Sequence, residues 1–252
     1  MKCIRKNVGK TAAIGDVHSC AHLLDEVVDE CRTRGVEHFI FLGDLLDRGP
    51  DPIGTIERVA ELKRKGQATV IMGNHDWKLV RLFDGNKGLH LSNEAKVTLN
   101  KLKGHDDKRD LYHSLFSERI FAVFDMDAKI MLCHAPGMRP YYLLDRMKDG
   151  ETVPKRMAMP LLYGKTNGEK DSLGFPVRLP LTESAYDDLN GWLLVHGHTH
   201  ARELHPEHGN PNILCVDYGA GEANGKLAAW IFAEDPRDTG ELILSEGTTF
   251  GS

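Results

Sequence analysis

The sequence predicts an α/β domain built on a mainly parallel sheet, and three observations predict it. Apolar runs of four or five residues alternate with amphipathic segments along the first third of the chain. Its 252 residues are the size of one large domain. A content of 41% hydrophobic and 27% charged residues is that of an ordinary folded chain, not of a disordered, collagenous or coiled-coil one. Strands that alternate with helices imply βαβ crossovers, which put the working edge of the sheet at the C-terminal ends of its strands.

The elements follow in order. Residues 11–15 form a short apolar run; Leu24, Val27, Val28 and Cys31 then recur at helical spacing until Gly35, a stop signal. Residues 39–42 are the next strand. Asp51 as N-cap and Pro52 at the first position open a helix that carries Ile53, Ile56, Val59, Ala60 and Leu62 inward up to Gly66. Residues 68–72 are a third strand. From about 77 to 118 the text turns polar and helical, with Ala95, Leu99 and Leu102 at turn spacing, which predicts a helical lobe standing on the core. Residues 120–124 and 129–132, split by Asp125-Met126-Asp127, read as a hairpin. An irregular insert rich in Gly, Pro and basic residues runs from about 137 to 180. Residues 192–195, 213–216 and 227–232 are further strands, and the end from Thr248 is expected to fray. With no internal repeat or clean linker, residues 1–252 are expected to form a single domain.

Charge and cysteine content exclude some classes. Against 37 Asp and Glu stand 32 Lys and Arg, a net −5, which argues against stable binding of duplex nucleic acid or of an anionic membrane. No apolar stretch is long enough to span a bilayer, and the run before Asp16 is too short for the core of a secretion signal. The cysteines are odd in number (Cys3, Cys20, Cys31, Cys133, Cys215), scattered and without a Cys-x-x-Cys pair, as expected of reduced thiols in a cytoplasmic protein. Thirteen histidines raise the question of metal.

Each of the first three strands ends in a motif: Gly15-Asp16-Val17-His18, then Gly43-Asp44-Leu45-Leu46-Asp47-Arg48-Gly49, then Gly73-Asn74-His75-Asp76. His134 also follows a strand, as does Gly197-His198-Thr199-His200. Asp16, Asp44 and Asn74 stand 28 and 30 residues apart, one βαβ unit each time, so the motifs should lie side by side at one edge. Asp16 and His18, two apart in extended backbone, project to one side and can grip one cation; His198 and His200 can do the same. Two divalent ions need a ligand that touches both, and Asp44 at the central strand end is the expected bridge. That assigns Asp16, His18, Asp44 and His200 to one ion, and Asp44, Asn74, His134 and His198 to the other. Imidazole, carboxylate and amide donors together suit manganese, with iron or zinc as alternatives, better than calcium or magnesium.

Three more residues argue for catalysis. His75 can protonate a leaving group, Asp47 can hold it in the donating tautomer, and Arg48 offers a planar fork for phosphate oxygens, with Asn74 beside it. Together they predict a phosphoesterase in which a metal-activated hydroxide attacks phosphorus in line. Asp76 is expected only to favour a helix N-terminus. Any one motif alone could arise by accident; five in order could not.

The ordered set resembles the calcineurin-like metallophosphoesterase superfamily from Gly15 through His200. That resemblance implies a two-sheet β-sandwich flanked by helices. The form GD-x-x-DRG is similar to the branch containing Ser/Thr protein phosphatases and diadenosine tetraphosphatases, although Ser19 follows His18 and Asp76 stands where that branch usually has glutamate. A looser similarity, carried by Asn74–Leu79, Tyr163–Gly168 and Gly174–Arg178, is to the phosphatase module of bacterial polynucleotide kinase-phosphatases, and implies that Arg178 contacts substrate. The insert from Arg139 to Arg178 holds eight Lys and Arg against five acids, a local excess that could steer an anion. The expected substrates are nucleotides, dinucleoside polyphosphates or nucleic-acid ends. A Ser/Thr protein phosphatase is the second reading. A catalytically silent scaffold is the third, disfavoured because a scaffold has no need of Asp47, Arg48 and His75 beside a full ligand set.

Overall fold

The computed structural model describes residues 2–5, 10–147, 152, 154–170, 172, 176–178, 189–199, 212–232 and 240–247. In chain order the elements are β1 (Lys2–Arg5), β2 (Thr11–Ile14), α1 (Ala21–Thr33), β3 (His38–Phe41), α2 (Pro52–Arg64), β4 (Ala68–Val70) and α3 (Asn74–Phe83). There follow α4 (Asn93–Lys101), α5 (Asp106–Leu115), β5 (Ile120–Asp125), β6 (Ile130–Cys133), α6 (Pro140–Arg146), α7 (Ala158–Tyr163), β7 (Thr166–Lys170) and β8 (Pro176–Arg178). The chain closes with β9 (Leu193–His196), β10 (Ile213–Cys215), β11 (Asp217–Tyr218), β12 (Lys226–Ile231) and β13 (Glu241–Leu244).

These strands make two sheets. One runs β11-β12-β2-β3-β4 with β13 also paired to β12; the other runs β1-β5-β6-β9-β10; β7 and β8 form a separate hairpin. Successive side chains on a strand face opposite ways, and here both faces are buried. Ala13, Ile40, Leu42 and Ile71 of the first sheet share one apolar cluster with Val123, Ile130, Leu132, Leu193 and Val195 of the second, the filling of the sandwich. Phe39 and Phe41 alternate outward into a second cluster with Leu24, Val27, Ile56 and Val59 of α1 and α2. Burying each such phenylalanine stabilises the fold by roughly 1.5–3 kcal/mol. Helices α3, α4 and α5 extend this layer: Ala95, Leu102, Tyr112 and Phe116 belong to the same cluster, and α5 packs on both α2 and α3.

The two-sheet sandwich implied by the resemblance is present; the mainly parallel sheet read from strand spacing is corrected. Strands β2, β3 and β4 are parallel, as are β6, β9 and β10. Strand β12 runs antiparallel to each of its partners β11, β13 and β2. The hairpin of β5 and β6 is antiparallel, as expected, because a connection closed by Asp125 Oδ1 accepting the Asp127 and Ala128 amides is too short for a crossover. Asp51 caps α2 as expected, accepting the Gly54 amide at 2.8 Å. Helix α3 starts at Asn74, earlier than the polar pattern indicates, so the third motif is itself a first helical turn. The insert read as irregular contains α6, opened by Pro140, α7, and the β7–β8 hairpin.

Candidate metal centre and active site

The parallel strands of both sheets deliver their C-terminal ends to one place. Asp16 and His18 follow β2, Asp44 follows β3, Asn74 and His75 open α3 after β4, His134 follows β6 and His198 follows β9. Asp16, His18, Asp44, Arg48, Asn74, His75, His198 and Asp217 line a polar cavity of about 70 Å³. His134 lies fully buried behind it, its Nε2 3.5 Å from Asp44 Oδ2. His200 lies outside the described residues. Arg178 falls on β8, but its side chain is also outside them.

Two groups of side chains able to hold a metal ion converge, each with its donor atoms within 4.8 Å of one another: Asp16, His18 and Asp44, and Asp44, His134 and His198. Asp44 is common to both. Backbone carbonyls orient the imidazoles: Nδ1–H of His18 donates to Leu46 O and Nδ1–H of His134 to Leu42 O, each at 2.9 Å. With Nδ1 protonated, each Nε2 keeps its lone pair for the site. His134 Nε2 lies 2.9 Å from Asn74 Oδ1, which brings the two side chains together beside Asp44. His198 joins through its backbone, its N–H lying 3.1 Å from Asp16 Oδ1.

The electrostatics suit cations. Burial, then the charges of Asp217 and Asp44, pushes the Asp16 carboxyl far above the usual carboxylate range. Burial would raise Asp44 too, but the surrounding His134, His75, His18 and His198 hold it below that range. Burial lowers His18 to about 3, so its imidazole is neutral and free to ligate. Buried carboxylates at such proximity are costly without a positive partner, and the donor set fits two divalent ions.

The second row of the site holds the first. Asp76 Oδ2 accepts the amides of Asp44 (2.7 Å) and Gly73 (3.1 Å), while Oδ1 accepts the Leu45 amide (3.2 Å) and the Tyr112 hydroxyl (2.7 Å). The His75 amide donates to Asp44 Oδ1 at 2.9 Å. Gly73 permits this approach: a Cβ there would stand 2.2 Å from Asp44 Oδ1. Burial, then Asp44, pushes Asp76 up to about 7. Backbone strain gathers here as well, with His18, Ser19, Asp44, Asp47, Arg48 and His198 all at φ between 46° and 73°, a conformation that costs a non-glycine residue of order 1 kcal/mol.

His75 Nδ1 sits 2.6 Å from Asp47 Oδ2, the pairing expected. Burial alone would lower the histidine's pKa, but the charge of Asp44 and the bond to Asp47 outweigh it and leave His75 above the ordinary value in the protein alone. Arg48 reaches the cavity rim and is the one Lys or Arg among the described lining residues. In the basic insert, Arg139 bonds the Tyr141 hydroxyl and Arg146 lies over the Tyr142 ring, and neither is among the residues that line the cavity.

Sequence reasoning missed three neighbours. Asp217, buried on β11, lines the cavity and acts on Asp16; its signal was an apolar run ending in Asp-x-Gly, a mirror of the Gly-Asp ends of the early strands. Asp76 sits in the first turn of α3, the helix N-terminal carboxylate expected, and in addition anchors the Asp44 loop. Tyr163, at the end of α7, presents its ring edge-on to His198 at a centroid separation of 6.4 Å.

The family model for calcineurin-like phosphoesterases matches residues 9–221. A bis(5'-nucleosyl)-tetraphosphatase PrpE (asymmetrical) of Oceanobacillus iheyensis is 32% identical over 239 residues, covering 89% of each chain. The protein of the same name from Halalkalibacterium halodurans is 32% identical over 232 residues, covering 82% of this chain and 86% of its own. Among solved structures, a candidate diadenosine tetraphosphatase aligns with a TM-score of 0.57 at 22% identity, over 97% of this chain and 98% of its own. A protein serine/threonine phosphatase from Saccharomyces cerevisiae aligns at 0.56 with 13% identity, over 100% and 85%. These last two are likenesses of fold. A motif set that reaches from the end of β2 to the end of β9, gathered around one shared aspartate and matched along most of its length, makes this chain a member of the calcineurin-like phosphoesterase family, a metallophosphoesterase and hydrolase.

Proposed function

We propose that the protein hydrolyses dinucleoside polyphosphates, with a bis(5'-nucleosyl) tetraphosphate as preferred substrate. The observation that carries this reading is Asp44 shared between two ligand groups, with the His75–Asp47 pair and Arg48 at the same cavity. The names of the relatives matching along most of this chain select the substrate within the phosphoesterase class. In the proposed centre Asp16, His18, Asp44 and His200 would hold one ion and Asp44, Asn74, His134 and His198 the other, with manganese as the native metal. Bound divalent ions would supply Lewis acidity, neutralising phosphoryl charge and making water acidic enough to attack near neutral pH.

The chain's own side chains do the rest. Arg48 binds and orients a phosphoryl group, helped by the Asn74 amide. Asp47 accepts from His75 Nδ1–H and, with the charge of Asp44, favours the doubly protonated imidazolium, whose Nε2–H is the proton aimed at the leaving oxygen. As the bond from water oxygen to phosphorus forms and the phosphorus–oxygen bond to the leaving nucleotide breaks, Nε2 gives up that proton; solvent restores it. Assay of a dinucleoside tetraphosphate, a phosphopeptide, a nucleoside monophosphate and p-nitrophenyl phosphate with manganese, and again with chelator, tests the reading. The tetraphosphate should give the highest kcat/KM and chelation should abolish it. A phosphopeptide turned over faster than the tetraphosphate would replace this reading with a protein phosphatase, and no turnover of any substrate by metal-loaded protein would make it a scaffold.

A further inference from the structure

Arg48 does not meet the cavity alone. The loop after β11 turns back on itself, closed by the Glu222 amide donating to Gly219 O and the Gly225 amide donating to Glu222 O, each at 3.0 Å. At its tip Gly221 (φ +86°) is pressed so close to the first two motifs that a Cβ there would stand 2.8 Å from the Cβ of His18 and 3.1 Å from that of Arg48. This contact sets Glu222 Oε1 2.8 Å from Arg48 Nη1. The two side chains are 28% and 45% exposed, and an ion pair that wet contributes little to stability. Its effect falls instead on the charge that a substrate encounters.

With Nη1 engaged by Glu222, the edge of the guanidinium formed by Nε and Nη2 remains to fork a phosphoryl group. That group then shares one planar cation with a carboxylate. The geometry points to Glu222 as a specificity-determining residue that favours phosphoryl groups bearing one negative charge, as in diesters and the interior of polyphosphates, over the dianionic end of a phosphate monoester. A monoester's second ionisation falls near pH 6, so at pH 8 it brings one more charge to the rim than a diester does. Across a partly solvated gap this repulsion is worth about five- to tenfold in kcat/KM. The inference deepens the proposed function and rests on it, since interior phosphoryl groups are what a dinucleoside polyphosphate presents. Hydrolysis also creates the disfavoured species: once water has added and the anhydride bond has broken, both products end in a terminal phosphate, and Glu222 promotes their departure.

Glu222→Gln, loaded with manganese, should be compared with the parent at pH 8 on p-nitrophenyl phosphate and its bis ester, which share a leaving group and differ in phosphoryl charge. The monoester-to-diester ratio of kcat/KM should rise about five- to tenfold, and a nucleoside monophosphate should inhibit more tightly by a similar factor. Glu222→Ala should move the ratio the same way and Glu222→Asp should leave it near the parent value. An unchanged ratio, or equal slowing of both esters as a purely structural role would give, overturns the assignment. Failure of the parent on dinucleoside tetraphosphate would instead strike at the proposed function, while the two nitrophenyl esters would still report on Glu222.

Discussion

His75 illustrates how two side chains divide one task. Its imidazole is 11% exposed while the Asp47 carboxylate beside it is 1% exposed, so the proton held at Nε2 can reach only what enters the cavity. His75→Ala should therefore retain its metal and slow esters with poor leaving groups, such as nucleoside monophosphates, by about 10²–10⁴. Slowing of p-nitrophenyl phosphate should be far smaller, because that leaving group departs without a proton. Steady-state rates on both, with metal analysis, decide it; equal slowing would remove His75 as the acid. At this scale the sequence was legible wherever a donor sits within a few residues of an apolar run, as with Asp16, Asp44, Asn74 and His134. Asp217 carried the same signal, at the end of the run from Ile213 to Val216, but in the order Asp-x-Gly and not Gly-Asp, and it was passed over. The anchoring by Asp76 was not legible, since its hydroxyl partner Tyr112 comes from a helix two elements further on.

At the scale of elements, α3 and α5 act together. Asp76 in the first turn of α3 and Tyr112 in α5 tie the helical layer to the loop after β3, since the same carboxylate holds the Asp44 and Leu45 amides. Loss of that hydroxyl in Tyr112→Phe leaves the carboxylate one donor short and should cost about 1–2 kcal/mol. Urea unfolding of the metal-free protein measures it, and an unchanged midpoint would show that the bond does not hold the two elements together. The sequence revealed that most strands exist, through their apolar runs, but not their direction. Direction follows from the connection, and β12 pairs with β2 from more than two hundred residues away. Strand β11 has only two residues and β7 is almost wholly exposed, so neither carries an apolar run or an alternation to read.

For the whole molecule, the thiols offer a gauge of opening. All five cysteines are free and buried, and burial pushes Cys3 and Cys31 up to about 12 and Cys20 up to about 11. At pH 8 almost none of these is thiolate, so a disulfide reagent should label the native protein only as it unfolds and label five thiols in denaturant. Manganese at about a hundredfold excess over Kd should slow that labelling by about two orders of magnitude per site, equivalent to about 2.7 kcal/mol. Labelling indifferent to metal would mean that the ligands are not gathered as described. Among the described residues no helix is long and apolar enough to cross a membrane.

The donors come from loops on both halves of the sandwich, Asp16 and Asp44 from one sheet, His134 and His198 from the other. A cation seated there is a rivet through the seam as well as a reagent. Scarcity of trace metal would then thin out the protein itself through proteolysis of loosened molecules, beyond silencing those that survive.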